Sequence, residues 1–126
     1  MSYTSIPDPG NPNSEALRGL DFYNEDLKIL RNRLSEVASK NNSFEACQGI
    51  EHFENQFEIQ QHNIHHLRHK IKDHQHLMSA EAFTHAGHIN DMQLENEKKL
   101  ADEFSLLENV INDLRREFNV FLSKWM

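Results

Sequence analysis

The fold is decided by residues 46–78, which run ACQGIEHFENQFEIQQHNIHHLRHKIKDHQHLM. Core-type positions recur there at alternating spacings of four and three, which defines a heptad. Its a positions are Ile50, Phe57, Ile64, Ile71 and Met78, and its d positions are Ala46, Phe53, Gln60, Leu67 and His74. This period is typical of an α-helix that packs one face against neighbouring helices. The stretch predicts a long amphipathic helix that ends near Met78.

The same heptad pattern occurs on both sides of this segment. Upstream it comprises Ala16, Leu20, Tyr23, Leu27, Leu30, Leu34 and Val37; downstream it comprises Leu100, Phe104, Leu107, Ile111, Leu114, Phe118, Phe121 and Trp125. No proline follows Pro12, and no β-type alternation occurs. We therefore predict an all-α fold, an up-down-up bundle of three long antiparallel helices. Residues 1–12 form an irregular lead-in, and 13–126 form a single helical-bundle domain.

Local signals predict where the helices begin. Because Gly19 weakens the first turns, the firm part of helix one begins at Asp21, a suitable N-cap residue. Asn42 and Glu45 have the spacing of a capping box after the first turn. Ser79 is predicted to cap the third helix.

The predicted helix lengths do not match. At about 1.5 Å per residue, a helix over 80–125 would be about 69 Å long, against about 54 Å for a helix over 43–78. The overhang would expose Phe118, Val120, Phe121, Leu122 and Trp125, which are too apolar to leave in water. Either a second copy covers this end, with Phe118, Phe121, Leu122 and Trp125 as the interface residues, or helix three breaks near Gly87 and slides into register. We favour a dimer, and both can hold.

Composition limits the classes of partner. The 126 residues include 13 Lys and Arg against 20 Asp and Glu, a formal net charge of −7, which opposes general binding to nucleic acid or anionic lipid. The run HHLRHKIK lacks the interleaved aromatics of nucleic-acid grooves. We find no signal peptide and no apolar run long enough for a membrane span. Cys47 is the only cysteine, so we expect the cytoplasm and no disulfide.

Six of the nine histidines lie between residues 62 and 76. His62 with His66, and His65 with His69, are i, i+4 pairs, a spacing at which two imidazoles can share a divalent metal. The heptad places five of these six histidines on the outward side of the helix and only His74 inward. Tetrahedral zinc usually needs four ligands, which is more than one pair supplies. We interpret the outward histidines mainly as solvated surface residues, with a site for zinc or another divalent metal, or a pH sensor, as the alternative.

His74 occupies an inward d position near the second turn. His85 and His88 follow across that turn, with Glu81 and Asp91 nearby. These side chains could converge on a metal if the turn is irregular. The more common outcome is that His74 bonds a helix end or a polar core group.

A polar layer is predicted to interrupt the core. Asn90, Gln93 and Glu97 interrupt the pattern of helix three, and Gln60 interrupts that of helix two. If the hairpin closes at residues 78–80, Gln60 lies level with Glu97. Such layers commonly set register and partner number. The competing hypothesis, Glu97 as a general base, lacks a second acid or a nucleophile.

These patterns predict a non-enzymatic helical bundle that acts through self-association or a protein partner, with the C-terminal helix as its contact surface. The alternative, a divalent-metal binder or pH sensor, uses the histidines. An enzyme is the least supported class, because no nucleophile with its base, phosphate-cradling glycine loop or pair of catalytic acids is present.

Overall fold

The computed structural model describes residues 12–84 and 91–126. Three helices, α1 (Pro12–Lys40), α2 (Phe44–Thr84) and α3 (Asp91–Trp125), pack against one another, and no strand occurs in these two ranges. Arg31 contacts Gln61, and Arg68 contacts Asp21 at 2.5 Å, so α1 and α2 run antiparallel. The prediction of an all-α three-helix bundle is confirmed.

The α2–α3 pair is antiparallel as well. Lys70 Nζ lies 3.2 Å from Glu103 Oε1, while Lys124 Nζ lies 2.6 Å from Glu45 Oε1 near the other end. Residues later in α2 therefore face residues earlier in α3. Together with the α1–α2 contacts, this gives the predicted up-down-up order.

The heptad positions form the core. In α2 all a and d positions from Ala46 to His74 are buried, and Met78 is half-buried. The predicted α1 positions are buried without exception, and in α3 Leu100, Leu107, Ile111, Leu114 and Phe118 join them. Phe104, Phe121 and Trp125 are partly buried against this core. One continuous core thus lies between the three helices.

The turn between α1 and α2 is capped one residue later than predicted. Ser43 Oγ accepts a hydrogen bond from the Ala46 amide at 3.2 Å, and the Ser43 carbonyl accepts one from the Cys47 amide at 3.0 Å. Ser43 is therefore the N-cap, and the expected cap at Asn42 was wrong. A hydroxyl bonded to the third helical amide satisfies a donor that the helix itself leaves free.

The predicted end of α2 was also wrong. Ser79 lies inside α2, which continues to Thr84, and α3 begins at Asp91. Ala80, Glu81 and Ala82 are strong helix formers, so they extend the helix past a serine that could have capped a new one. A continuous helix over 80–125 does not form. Gly87, where a break was predicted, lies outside the described residues.

Because α3 begins later than predicted, it does not overhang its partners. Asn41 Nδ2 donates to the Val37 carbonyl and to the Trp125 carbonyl, both at 3.0 Å. The last turn of α3 thus lies level with the α1–α2 turn. The predicted overhang was therefore wrong, and it gives no reason to expect a second copy over the C-terminal end.

Helix α1 begins at Pro12, not at Asp21. Proline is tolerated in the first helical turn, where its missing amide has no intrahelical partner to lose. Gly19 lies inside the helix, where a Cβ would come 2.5 Å from Phe104 Cζ, so its absence lets that ring approach α1. The rest of the predicted lead-in, residues 1–11, lies outside the described residues.

Candidate functional site

Four exposed histidines form a patch on the outer surface of α2, and one of them, His66, also lies at the side of α2 that faces α3. The histidine patch comprises His62, His65, His66 and His69, which occupy heptad positions f, b, c and f. Spacings of three, four and seven residues place the four imidazoles at the corners of a rhombus on one helical surface. No hydrogen bond or ion pair holds these imidazoles within residues 12–84 and 91–126.

A single chain does not complete a metal site at this patch. Within the described ranges, no group of three or more His, Cys, Asp or Glu side chains is arranged to hold a metal ion. The predicted pairs, His62 with His66 and His65 with His69, remain as two-ligand elements. Two imidazoles from one helix make a labile site, because tetrahedral zinc usually takes four ligands.

Two cationic neighbours of the histidine patch pair with carboxylates on the other helices. Arg68 pairs with Asp21 of α1 at 2.5 Å, and Lys70 pairs with Glu103 of α3 at 3.2 Å. Both pairs lie on the flanks of α2. Each flanking carboxylate offsets a positive charge that would otherwise repel a cation from the outer face.

His74 has a different environment from the histidine patch. Its side chain is buried at a d position, and its Nε2 has no hydrogen-bond partner among the residues described. The predicted convergence with His85 and His88 falls on residues outside the described ranges. His74 instead lines a cavity between α2 and α3.

The predicted polar layer does not lie at one level. Gln60 and Gln93 are buried and Glu97 is half-buried, while Asn90 lies outside the described residues. The Lys70–Glu103 pair sets the register of the hairpin. Gln60 lies on one side of that pair and Glu97 on the other, so their predicted alignment was wrong. The cause is the longer α2, which moves the hairpin turn past residue 84.

An open groove between α2 and α3 was not predicted from the sequence. Two cavities of about 360 and 370 Å³ adjoin along it, and both are lined by Lys70 and Glu103. The α2/α3 groove is lined by Gln60, Asn63, His66, Leu67, Lys70, Asp73, His74 and Leu77 from α2, and by Asn96, Lys99, Leu100, Glu103, Leu106, Leu107 and Val110 from α3.

The edges of the α2/α3 groove carry apolar side chains in water. Leu106 is 66% exposed, Leu77 48% and Val110 46%, although all three belong to helices with well-formed cores. Below them, Leu67, Leu100 and Leu107 form a buried apolar floor. A concave surface with an apolar floor and apolar edges is suited to receive a helix.

The four predicted interface residues lie in the chain's own core or against it. Phe118 and Leu122 are buried, and Phe121 and Trp125 are half-buried. The Phe118 ring lies 5.2 Å from Phe53 by ring centroids. Their role as interface anchors stays a prediction, and the structure gives all four a packing role within one chain.

Aromatic rings dominate this end of the bundle. Phe57 lies 5.1 Å from Phe118 in an edge-to-face arrangement, and Phe53 lies 5.1 Å from Phe121. Such geometries add a favourable contribution beyond burial alone. A Cβ at Gly49 would come 2.2 Å from Phe121 Cε1, so the lack of a side chain lets the ring reach the backbone of α2.

Tyr23 supplies a polar contact between α1 and α3. Its hydroxyl donates to Glu108 Oε2 at 2.6 Å, while Asp26 pairs with Arg115 nearby. Burial raises the pKa of Tyr23 above its usual 10.0, and the hydrogen bond to the Glu108 carboxylate raises it further. The neutral phenol is therefore the stable form here, and it links two helices that run parallel.

No protein-family model, curated protein or solved structure matches this chain. In the ranges 12–84 and 91–126, no helix combines the length and the apolar character needed to cross a membrane. Among the described residues, two surfaces are candidate sites: the histidine patch and the α2/α3 groove.

Proposed function

We propose that this chain is a non-enzymatic helical bundle that acts by associating with a second copy of itself through the α2/α3 groove. The open groove is the observation that carries this proposal. A bundle built for packing alone would leave polar residues along such an edge, yet Leu106 is 66% and Val110 46% exposed there.

Pairing of two copies would remove these exposed apolar side chains from water on both copies. In a two-fold interface each copy presents the same patch to the other, so Leu106 and Val110 of both would leave water together. Removing apolar surface from water contributes about 25 cal/mol per Å². The groove carries both charge signs, with Lys70 and Lys99 beside Asp73 and Glu103, which suits a self-complementary contact.

The test is the mass of the full chain in solution. We expect light scattering after size exclusion to give a concentration-dependent mass above the 14.8 kDa monomer, with a chelator present. Leu106→Lys with Val110→Lys should return the protein to a monomer, because each lysine places a charge in the buried contact. Ile29→Lys is the matched control, since Ile29 is 55% exposed on α1. A wild-type monomer at high micromolar concentration would overturn the proposal.

A second candidate function is divalent-metal binding by the histidine patch. The supporting observation is that His62, His65, His66 and His69 are exposed together with no intrachain partner in the part of the chain described. Neutral imidazole is the commonest protein ligand for transition metals. Calorimetric titration of the tag-free chain with Zn²⁺ tests this function, and binding equal to that of a His62→Ala/His66→Ala variant would remove it.

We propose the cytoplasm as the compartment. Cys47 is exposed and is the only cysteine, so it has no intrachain partner for a disulfide. A solitary exposed thiol suits a reducing environment. When cells are lysed in the presence of a thiol-blocking reagent, the reagent should label Cys47 fully. A disulfide-linked form of the protein in that lysate would contradict the assignment to the cytoplasm.

A further inference from the structure

We propose that the histidine patch binds Zn²⁺, or a similar divalent transition metal, between two copies of this chain packed antiparallel through the outer face of α2. This inference rests on the second candidate function and adds its partner and its ligand set. The patch comprises His62, His65, His66 and His69, as defined above.

The ligand count requires a second chain. Within the described ranges no three metal-ligating side chains of one chain are grouped to hold an ion. Each i, i+4 pair supplies two imidazoles, and tetrahedral zinc usually takes four ligands. A second copy brought against the same face supplies the missing two. Because each chain carries two such pairs, His62 with His66 and His65 with His69, a dimer can hold about one ion per chain.

The outer face of α2 is open to a second helix. α1 and α3 pack on the other sides of α2; His62, His65 and His69 are exposed outside the α2/α3 groove, and His66 is exposed at its edge. The nearby cations Arg68 and Lys70 are paired with Asp21 and Glu103 on the flanks. The charges of these two cations are therefore offset by carboxylates on the neighbouring helices.

Charge along α2 selects the antiparallel orientation. Glu51 and Glu58 lie before the histidine patch on the outer face, and Lys72 lies after it, all exposed. Glu58, His65 and Lys72 follow one another at heptad spacing on a single stripe. When a second copy is reversed over the patch, its Lys72 lies beside Glu58 of the first, and the reverse pair forms by symmetry. A parallel arrangement would oppose like charges instead.

The first experiment measures mass and metal binding on the tag-free full chain. We expect Zn²⁺ to double the light-scattering mass relative to the same sample with a chelator, and calorimetry to give about one ion per chain. The wild-type chain is the starting protein, because Leu106 and Val110 line the same cavity as His66 and lysines there would act on a proposed ligand. The sample with chelator reports association through the groove. Zinc binding without a change in mass would overturn the two-copy site while leaving simple metal binding intact.

Histidine variants test the ligands. His62→Ala/His66→Ala should lose the zinc-dependent dimer, whereas His52→Ala/His76→Ala should keep it. His52 and His76 are exposed histidines of the same helix that lie outside the patch. Circular dichroism checks that both variants stay helical. A zinc-dependent dimer that survives loss of His62 and His66 would overturn the ligand assignment.

A charge swap tests the orientation. Glu58→Lys alone and Lys72→Glu alone should each weaken the zinc-dependent dimer, because like charges then face each other across the dyad. An equimolar mixture of the two variants should restore it, since every facing pair is again opposite in sign. If each variant alone dimerises as well as the wild type, the antiparallel arrangement is wrong. Chelator-resistant association that does not respond to zinc would overturn this inference and leave the groove proposal standing.

Discussion

The two ends of this bundle have the same heptad pattern, but the buried side chains are aromatic at one end and partly polar at the other. Near the α1–α2 turn, the aromatic end packs Phe53, Phe57, Phe118 and Phe121 against one another. Toward the other end, the polar end places His74 and Gln93 at buried core positions. Periodicity alone therefore fixes which residues are buried, while the residue type at each position decides how much each layer stabilises the fold.

The two ends differ in how much each buried side chain contributes to stability. Burying a phenylalanine side chain contributes about 1.5–3 kcal/mol, and favourable ring pairs add to this. A buried polar atom without a partner costs about 1–3 kcal/mol. We infer that stability is concentrated at the aromatic end, and that the polar end opens first.

The largest effect should come from emptying the aromatic end. Phe57 is fully buried, so Phe57→Ala should lower the free energy of unfolding by about 3–5 kcal/mol, measured by urea denaturation. Ile59→Ala is the control, because Ile59 lies two residues away and is 47% exposed. Equal losses from the two variants would mean that the aromatic end holds no special share of the stability.

A change of opposite sign is expected at the polar end. His74→Leu removes a buried nitrogen that has no hydrogen-bond partner among the described residues and fills the d position with an apolar side chain. We expect the free energy of unfolding to rise by about 1–2 kcal/mol. His76→Leu, at an exposed position on the same helix, should change it by less than about 0.5 kcal/mol. A net loss at His74 would show that its imidazole has a stabilising role.

The smallest effect concerns a polar core group that does have a partner. Tyr23→Phe removes the hydrogen bond to Glu108 and should cost about 1 kcal/mol. Because the folded state raises the pKa of Tyr23 above 10.0, its stabilising contribution is complete below that pH and is lost as the pH rises through the higher folded value. In a Tyr3→Phe variant, Tyr23 is the only tyrosine, so ultraviolet absorbance follows the titration of Tyr23 alone. A midpoint at or below 10.0 would contradict the burial of the phenol.

Much of the fold follows from the sequence because a heptad specifies its own buried face. Gln60 and His74 were predicted to be inward from position alone, although neither is apolar, and both are buried. The outward orientation of the histidine patch follows from the same pattern. These predictions needed no knowledge of where any helix ends.

The remaining features depend on the ends of the helices, where single residues give weaker signals. Ser79 has the chemistry of a cap, but the helix-forming residues after it extend α2 to Thr84. Because the predicted α2 ended too early, the hairpin turn was predicted in the wrong place. The predicted alignment of Gln60 with Glu97 and the predicted overhang both followed from that misplaced turn. The α2/α3 groove was missed because it depends on the side of α2 that faces α3, which a heptad does not specify for three helices.

The placement of the aromatic end affects how the protein is made. Phe53 and Phe57 leave the ribosome long before Phe118 and Phe121, their ring partners. An α1–α2 hairpin without α3 would leave these phenylalanines uncovered, and closing such a long loop adds an entropic cost. Uncovered aromatic surface of this kind promotes aggregation during translation. Packing of α3 is therefore the step that removes this aromatic surface from water.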